Sequence, residues 1–285
     1  MLRIATCQMT SGPDIGANVQ IAESLIRKAA REGANLALLP EMFTIMSNDP
    51  KDVLRLAEQY QDGPVQRIMS GLAKSLGIWI AAGTMPLKTD DPHRVTNTML
   101  VYDAFGQEAA RYDKIHLFSY EGQQERYDES ELYVGGHKTV SFNLPLENGL
   151  DIRIGLAVCY DLRFPQLFRR QSGIDCFLLP AAFTTNTGKA HWEVLLRARA
   201  IENLSYVVSA AQAGRSSCGR AFWGHSCAVD PWGTVISKLN GHETGVCFAD
   251  VDPAFLRQVR ALLPALNNRV CLLYTSDAAD DTPCV

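Results

Sequence analysis

Short apolar runs alternate with amphipathic segments of helical period in both halves of this chain. The runs 3–9 and 34–41 are typical of strands, and the segment 14–33 between them places its apolar residues on one helical face. A strand–helix–strand unit of this kind favours parallel pairing of its two strands. The same order recurs from 175 to 211. The chain is therefore expected to adopt an α/β fold in which helices cover sheets.

The composition narrows the possible classes of function. The 285 residues are 47% hydrophobic, enough for a large core in one domain, and a net charge of −4 gives no general attraction to nucleic acid or anionic membranes. No apolar run approaches the ~20 residues of a spanning helix, and the N-terminus lacks a signal-peptide pattern. The eight cysteines include no CxxC pair. We expect a cytoplasmic protein with reduced thiols and a small-molecule partner, without a bound metal or cofactor.

The segment GLAVCYDLRFP, residues 155–165, carries one cysteine from an apolar run into a polar turn. Residues 151–158 alternate and then become fully apolar, as in a strand entering a buried sheet, and an amphipathic helix follows. Cys159 would lie at a strand-to-helix junction, where free backbone N–H groups can face an oxyanion and lower a thiol pKa. Taken alone, a buried structural thiol remains the commoner explanation of such a cysteine.

Three segments together resemble the carbon–nitrogen hydrolase (nitrilase) superfamily. They are LLPEMF at 38–43, RYDKIHLF at 111–118 and GLAVCYDLRFP at 155–165, and they follow the family's order. Two later segments, at 190–202 and 224–235, resemble the branch typified by deaminated glutathione amidase. The resemblance implies a four-layer α-β-β-α sandwich.

The resemblance also implies a role for individual residues. Cys159 attacks the carbonyl carbon, while Glu41 takes the thiol proton and gives it to the departing ammonia. Lys114 and the backbone N–H of Tyr160 hold the oxyanion, and Glu129 orients Lys114 and helps to position the substrate. A thioester on Cys159 is then hydrolysed with Glu41 again as base. These residue types suit amide hydrolysis, which needs a nucleophile, a proton carrier and fixed positive charge.

Taken one at a time, the other candidates have ordinary explanations. Lys114 alone is typical of a surface lysine, and Glu129 lies in an acidic run in which Glu131 is an alternative. Glu41 differs, because it follows Pro40 and a run of apolar residues, where an unpaired carboxylate is costly. A buried partner is therefore expected, and Lys114 is the candidate.

Rival chemistries find less support in the sequence. A cysteine–histidine arrangement could use His116, His191 or His225, but none of them lies in a local signature of such enzymes. The sequence contains neither GxGxxG nor GxxxxGK[ST], which argues against nucleotide binding. Cysteine with glutamate and lysine remains the favoured set.

The substrate is less sharply indicated. Tyr160-Asp161 after the cysteine resembles the amidase branches, whereas true nitrilases typically carry Trp-Glu there. Phe183, Thr184 and Thr185 follow the next strand at the same sheet edge, where they could line the pocket or form an ordinary turn. A carboxylate on the substrate would need a cation, and the loops offer four candidates: Arg126, Lys189, Arg215 and Arg220.

The leading hypothesis is a cofactor-independent, thiol-dependent amidase that converts a small carboxamide, such as an α-keto amide, to a carboxylic acid and ammonia. Alternatives are a nitrilase, an ω-amidase or an N-carbamoyl amine hydrolase of the same fold, or an inactive scaffold. Apolar stripes on the segments 164–171 and 190–204, where family members pair, predict a homodimer. The expected domain spans residues 1–270, and 271–285, which has no helical or strand period, is expected to be a disordered or artefactual tail.

Overall fold

The computed structural model describes residues 1–122 and 126–270. The tail proposed for residues 271–285 lies outside the described residues. The helices are α1 (Ile15–Arg31), α2 (Pro50–Leu56), α3 (Pro64–Leu76), α4 (Pro165–Arg170), α5 (Thr185–Asn203) and α6 (Pro253–Leu262). The strands are β1 (Leu2–Gln8), β2 (Leu36–Leu38), β3 (Trp79–Lys88), β4 (Val95–Tyr102), β5 (Glu108–Asp113), β6 (Ser119–Glu121), β7 (Arg126–Asp128), β8 (Tyr133–Val134), β9 (Ser141–Pro145), β10 (Asp151–Leu156), β11 (Cys176–Ala181), β12 (Tyr206–Ala211), β13 (Ala213–Arg215), β14 (Ala221–Trp223), β15 (Cys227–Val229), β16 (Val235–Lys238) and β17 (Gly245–Val251).

Two large sheets organise the described part of the chain. The first has the order β17-β1-β2-β3-β4-β5, with β8 paired to β4, and the second has the order β16-β15-β12-β11-β10-β9. In the first, β1, β2 and β3 are parallel, and in the second, β10, β11 and β12 are parallel. The parallel pairing of β1 with β2 confirms the crossover predicted for the opening unit.

The two sheets pack face to face. Their shared core joins Leu2 and Leu38 of the first sheet to Ile154, Leu178 and Val208 of the second. Helices α1 and α3 pack on the outer face of the first sheet, while α5 packs beside β12 and α4 packs on α5. The order of layers is helix, sheet, sheet, helix, which confirms the predicted α-β-β-α sandwich.

Local chemistry explains where the helices begin and end. The Asp14 side chain accepts the Ala17 N–H at 3.1 Å and so caps α1. Pro64 occupies the first turn of α3, and Gly77 ends that helix in the left-handed region at φ 65°. Both ends of α3 lie where the sequence pattern predicts them.

Two element predictions were wrong. The polar composition of the segment 84–96 predicts a loop, but in the structure β3 runs on to Lys88 and β4 begins at Val95. A register shift between Ala82 and Met85 lets β3 continue beyond Gly83, and its residues as far as Leu87 are buried. The helix of the 175–211 unit, predicted over residues 190–204, begins at Thr185.

The fold brings several strand ends to one edge. Glu41 follows β2, Lys114 follows β5, Cys159 follows β10 and Ala182 follows β11. The carboxyl ends of strands are where open α/β sheets place their ligand sites. Among the helices of the described residues, none combines the length and the apolar character needed to cross a bilayer.

Candidate active site

Cys159 lies at a sharp turn after β10. It begins a 3-10 turn, Cys159–Arg163, and its φ of 48° is in the left-handed region that non-glycine residues rarely adopt. The residue is buried, with 7% of its surface exposed. Backbone strain of this kind persists where the surroundings enforce it, and it is concentrated at functional sites. The predicted strand-to-turn junction is therefore present, with the thiol at its apex.

A buried carboxylate, Asp161, holds this turn in place. It accepts hydrogen bonds from the Val158 N–H at 2.9 Å, the Tyr112 hydroxyl at 2.7 Å and the His116 N–H at 3.0 Å. Tyr112 belongs to β5, the strand that Lys114 follows. Asp161 therefore fixes the cysteine turn against the lysine strand.

Glu41 is placed by a close approach between backbones. Gly83 of β3 lies against Pro40, and a Cβ at Gly83 would collide with the Pro40 carbonyl oxygen. The backbone of Glu41 is held in turn by Gln212, whose side-chain amide donates to the Glu41 carbonyl at 2.9 Å. These contacts bury the glutamate, which is 1% exposed.

Every partner of the Glu41 carboxylate is a donor. Lys114 Nζ and Asn97 Nδ2 both donate to Oε1 at 2.9 Å, and the Ala182 N–H donates to Oε2 at 2.8 Å. The Cys159 thiol is also in hydrogen-bonding contact with this carboxylate. The buried partner expected from sequence is therefore Lys114, and the predicted nucleophile and base are neighbours.

Lys114 bridges two carboxylates. Its ammonium donates to Glu129 Oε2 at 2.7 Å as well as to Glu41, and its side chain is shielded from solvent. Glu129 lies in the 3-10 turn after β7, and its Oε2 also accepts the Phe118 N–H at 2.7 Å. Glu131, the alternative acid, instead forms a 3.5 Å pair with Arg126 on the surface. The structure thus favours Glu129 over Glu131 as the partner of Lys114.

The charges of the cluster follow from burial and proximity. Burial raises the pKa of the Cys159 thiol well above its ordinary value, and Glu41 raises it further against a lowering by Lys114. Burial acts to lower the pKa of Lys114, but the carboxylates of Glu129 and Glu41 outweigh it and raise that pKa well above its ordinary value. Burial raises the pKa of Glu129, although Lys114 opposes the change.

The expectation that the turn would lower the pKa of Cys159 was therefore wrong. The Ala182 backbone N–H acts to lower this pKa, but it is outweighed because the thiol is shielded from water and lies beside the Glu41 carboxylate. At neutral pH the resting group is a protonated thiol next to a charged ammonium. Attack by this sulfur requires a base, and Glu41 is in contact with it.

A cavity of about 270 Å³ opens onto the cluster. Cys159, Glu41 and Glu129 line it, as do Tyr160 and the predicted pocket residues Phe183 and Thr184. The prediction for Thr185 was wrong, because this residue opens α5 and is exposed, and the helical period brings Thr187 to the cavity instead. The volume is near the low end of small-molecule sites, which span roughly 300–1,000 Å³.

The Tyr160 N–H lies at the start of the 3-10 turn. The turn's hydrogen bonding begins one residue later, where the Asp161 N–H donates to the Val158 carbonyl at 3.0 Å. N–H groups at the start of such turns are free to bind a ligand oxygen. This position, beside Cys159 and on the cavity wall, suits the oxyanion role that the resemblance implies.

The histidines have other partners. His116 bonds to Asp161 and stacks on Phe164, His191 faces Arg163, and the His225 ring contacts the Trp223 carbonyl. Within residues 1–122 and 126–270, no histidine lines the cavity. The same residues contain no group of three or more His, Cys, Asp or Glu side chains arranged for a metal ion.

Several residues at the site were missed by sequence reasoning. Asn97 holds Glu41, and Asp161 anchors the cysteine turn, but each lies in a segment that reads as ordinary strand or turn. Arg163, four residues after Cys159, lines the cavity although the four proposed cations did not include it. Its position in the first turn after the nucleophile was a usable signal.

A family model described as carbon-nitrogen hydrolase matches residues 3–261. Deaminated glutathione amidase from Homo sapiens is 40% identical over 278 residues, covering 95% of this chain and 83% of that protein. The same named amidase from Yersinia enterocolitica is 37% identical, covering 93% of this chain and 92% of that protein. The likeness to both relatives extends over nearly the whole chain.

Solved structures agree with this likeness. The NitFhit protein of C. elegans superposes with a TM-score of 0.87 at 37% identity, covering 96% of this chain and 66% of that one, so this chain spans about two-thirds of NitFhit. The amidase of Nesterenkonia sp. AN1 superposes with a TM-score of 0.74 at 26% identity, covering 93% of this chain and 98% of that one. That structure is of a glutamate-to-glutamine mutant and shows Michael addition of acrylamide at the active-site cysteine.

Proposed function

Since this chain belongs to the carbon–nitrogen hydrolase family and hydrolyses C–N bonds, we propose that Cys159, Glu41 and Lys114 cleave a small linear carboxamide through a thioester. The chain is an amidase. One observation carries the proposal: the Cys159 thiol contacts a Glu41 carboxylate that is itself held by the Lys114 ammonium. A thiol and a proton acceptor therefore line the cavity, and a fixed cation is bonded to the acceptor.

In the first half of the reaction, Cys159 Sγ attacks the amide carbonyl carbon as Glu41 accepts the thiol proton. The raised pKa of the thiol makes this transfer necessary, because little thiolate is present at rest. The carbonyl oxygen becomes anionic and is stabilised by the Lys114 ammonium and the Tyr160 N–H. The C–N bond then breaks, Glu41 returns the proton to nitrogen, and ammonia leaves from a primary amide.

In the second half, water attacks the thioester carbonyl carbon while Glu41 accepts a proton from it. The same two donors hold the new oxyanion. The C–S bond breaks, the carboxylic acid is released, and the sulfur of Cys159 recovers its proton from Glu41. Glu41 is thus a carboxylate at the start and at the end of each half, and the proton that Cys159 gives up to ammonia in the first half is replaced from water in the second.

In this scheme Glu129 positions the Lys114 ammonium and keeps it charged. Its 2.7 Å contact, with the matching contact to Glu41, fixes the ammonium and raises the pKa of Lys114. The lysine therefore remains charged and cannot readily act as the base. Glu129 is a positioning residue that also lines the cavity, where it can contact the substrate.

For the substrate class we propose amides related to those of the deaminated glutathione amidases, including α-keto amides, in preference to nitriles. The sequence likeness to these relatives supports the choice. Release of ammonia and of carboxylic acid should be measured with α-keto amides, simple amides, nitriles and N-carbamoyl amines, with Cys159→Ala as the matched control. We expect turnover of amides. Turnover confined to nitriles or N-carbamoyl amines would reassign the substrate class. The absence of turnover with every class would favour an inactive scaffold.

We also propose a homodimer formed through α5. Val194 and Ile201 of this helix are large apolar residues with 67% and 45% of their surfaces exposed, and Trp232 is 58% exposed. Val194 and Ile201 are seven residues apart and therefore share a face. In α4, by contrast, Leu167 and Phe168 are buried within the chain.

We propose the cytoplasm as the compartment, because the nucleophilic thiol must stay reduced to act. The cysteines in the described part of the chain are free thiols, which agrees with this choice. Cell fractionation with an antibody against the chain would check it, and recovery in an oxidising compartment would contradict it.

A further inference from the structure

Tyr133 is a buried tyrosine on the cavity wall whose hydroxyl lacks a protein partner. It lies in β8, lines the cavity that opens onto Cys159, and is only 7% exposed. Within residues 1–122 and 126–270, its hydroxyl forms no hydrogen bond. Buried polar groups are normally hydrogen-bonded, so an unpaired hydroxyl at this depth requires an explanation. A ligand in the cavity would supply the missing partner.

The ring and the backbone of Tyr133 are both held in place. The ring belongs to a small buried cluster with Val53, Ala57 and Val95. Its backbone pairs with Val95 of β4, and Arg94 Nη2 donates to the Tyr133 carbonyl at 2.6 Å. A tyrosine side chain has only two rotatable χ angles, so packing of this kind fixes the position of the hydroxyl. The donor is therefore preorganised, which reduces the cost of binding a ligand.

The hydroxyl lies within electrostatic reach of the catalytic cluster. Burial raises the pKa of Tyr133, Glu129 and Glu41 raise it further, and Lys114 and Arg220 lower it. Three of these four charged residues, Glu129, Glu41 and Arg220, line the cavity. The hydroxyl is therefore directed towards the cavity, and at neutral pH it keeps its proton and can donate it to a hydrogen bond.

The surrounding charges determine which kind of ligand atom suits this donor. Each of the two carboxylates acts on the pKa of Tyr133 more strongly than either of the two cations. The electrostatic environment of the hydroxyl is therefore net negative, which disfavours a further carboxylate beside it. An uncharged carbonyl or hydroxyl oxygen accepts from a phenol without adding negative charge.

Glu129 presents a free acceptor four residues before Tyr133. Its Oε2 accepts from Lys114 Nζ and from the Phe118 N–H, whereas its Oε1 accepts no hydrogen bond in the described part of the chain. An N–H of the substrate amide can therefore bind Oε1 while the carbonyl carbon faces Cys159. Tyr133 is then within reach of the acyl part of the same small molecule.

We infer that the Tyr133 hydroxyl donates a hydrogen bond to an uncharged oxygen in the acyl part of the substrate, so that this amidase prefers amides with a ketone or hydroxyl group there. This inference rests on the proposed function. An apolar acyl chain would bury the hydroxyl without a partner, and sites that hold such a donor discriminate against ligands that lack the acceptor. Tyr133 is thus a specificity-determining residue.

Three neutral amides test the inference. Valeramide has no acceptor in its acyl chain, α-ketovaleramide has a ketone beside the amide, and levulinamide has one further along the chain. Tyr133→Phe removes the hydroxyl and keeps the ring. It should lower kcat/KM about 3- to 10-fold for at least one keto amide, mainly through KM, and less than about 2-fold for valeramide. Comparing variant with wild type on each substrate cancels the different reactivities of the three carbonyls.

Tyr102→Phe is the matched control. Tyr102 is also buried, at 5% exposure, but it lies in β4 outside the cavity, so the loss of its hydroxyl should affect all three amides alike. An equal loss on the three amides in Tyr133→Phe would indicate a structural role or contact with the hydrolytic water and would overturn the inference. So would unchanged kinetics on all three.

Binding separates this inference from the proposed function. Ligand-observed NMR titration of the three amides into Cys159→Ala protein, with and without Tyr133→Phe, requires no turnover. We expect at least one keto amide to bind about 3- to 10-fold more weakly in the double variant, and valeramide to change by less than about 2-fold. If all three bind equally in the two proteins, the inference fails, whatever the activity. If wild-type protein cleaves none of the three while Tyr133 still governs binding of a keto amide, the proposed function fails and the hydrogen-bonding site stands.

Discussion

Lys114 Nζ and Glu41 Oε1 are 2.9 Å apart, and neither side chain reaches solvent. Such a pair gives up the hydration of two charges, so it is tolerated only where further hydrogen bonds complete it. The Lys114 ammonium donates a further hydrogen bond to Glu129, and the Glu41 carboxylate accepts further hydrogen bonds from Asn97 and the Ala182 N–H. The result is a rigid acid–base pair directly beside the Cys159 thiol.

Glu41→Gln should show whether Glu41 transfers protons or only forms hydrogen bonds to Lys114. Glutamine keeps the size and much of the hydrogen bonding but cannot accept the thiol proton, so ammonia release should fall ~10²- to 10⁴-fold. Steady-state rates on the best amide, with the circular dichroism melt as a check on folding, measure the effect. Glu129→Gln is the matched variant. If Glu129→Gln lost activity while Glu41→Gln kept nearly wild-type rates, Glu129 would be the base and Glu41 only a support for Lys114.

Cys159→Ser and Cys159→Ala should abolish turnover while the fold remains. A hydroxyl is a far poorer nucleophile than sulfur in this setting, and alanine has none. Intact-mass spectrometry of wild-type protein with a slowly hydrolysed amide should show one acyl adduct, and peptide mapping should place it on Cys159. The buried Cys7 and Cys227, whose pKa values burial raises to about 12, should carry none. An adduct on either would refute the assignment.

The clustering of Glu41, Lys114 and Cys159 could be predicted because these residues lie at strand ends and within recognisable segments. Glu41, Lys114 and Cys159 each follow a strand, and the topology brings those ends to one edge. The supporting residues could not be found in the same way. Asn97 lies within β4 and acts on a residue 56 positions away, so only the paired sheets show that it reaches Glu41.

Boundaries and side-chain directions were predicted less well. The polar stretch after Gly83 reads as a loop, but pairing with β4 and burial under neighbouring segments make it part of β3. Thr185 was predicted to line the pocket, but α5 starts five residues before the predicted boundary. Thr185 therefore opens this helix and is exposed.

Alkylation of Cys159 should show the direction of its pKa shift. The reaction follows the thiolate fraction, and burial with Glu41 raises this pKa, so the rate with iodoacetamide should still be rising above about pH 9, where an ordinary thiol levels off. In Glu41→Gln a charge that raises the pKa is gone, so the profile should move to lower pH. Peptide-level mass spectrometry gives the rates. A plateau at or below about pH 8.5 in wild type, or a move to higher pH in the variant, would contradict the expected direction.

Asp161→Asn should weaken both the fold and the reaction. The buried carboxylate accepts from Val158, Tyr112 and His116, and an amide must present a donor to one of these donors, at about 1–3 kcal/mol of unfolding free energy. Tyr112→Phe removes one of these bonds and should cost about 1 kcal/mol. The free energy of unfolding in urea and kcat should both fall more in Asp161→Asn than in Tyr112→Phe, because Asp161 sets the turn that presents Cys159. Wild-type stability in Asp161→Asn would show that the network is not needed.

Assembly should depend on the exposed face of α5. Val194, Ile201 and Trp232 expose apolar surface, and a second copy of the same face would cover it most simply. Light scattering at micromolar concentration should give a dimer mass for wild type. Val194→Asp places a charge in the proposed contact and should raise the dissociation constant at least ~10²-fold, giving a monomer. Phe105→Asp is the matched control, since Phe105 is 74% exposed in the turn between β4 and β5, far along the chain from α5. A monomeric wild type would show that the proposed dimer does not form. A dimer that survives Val194→Asp and Ile201→Asp but not Phe105→Asp would show that the interface lies elsewhere.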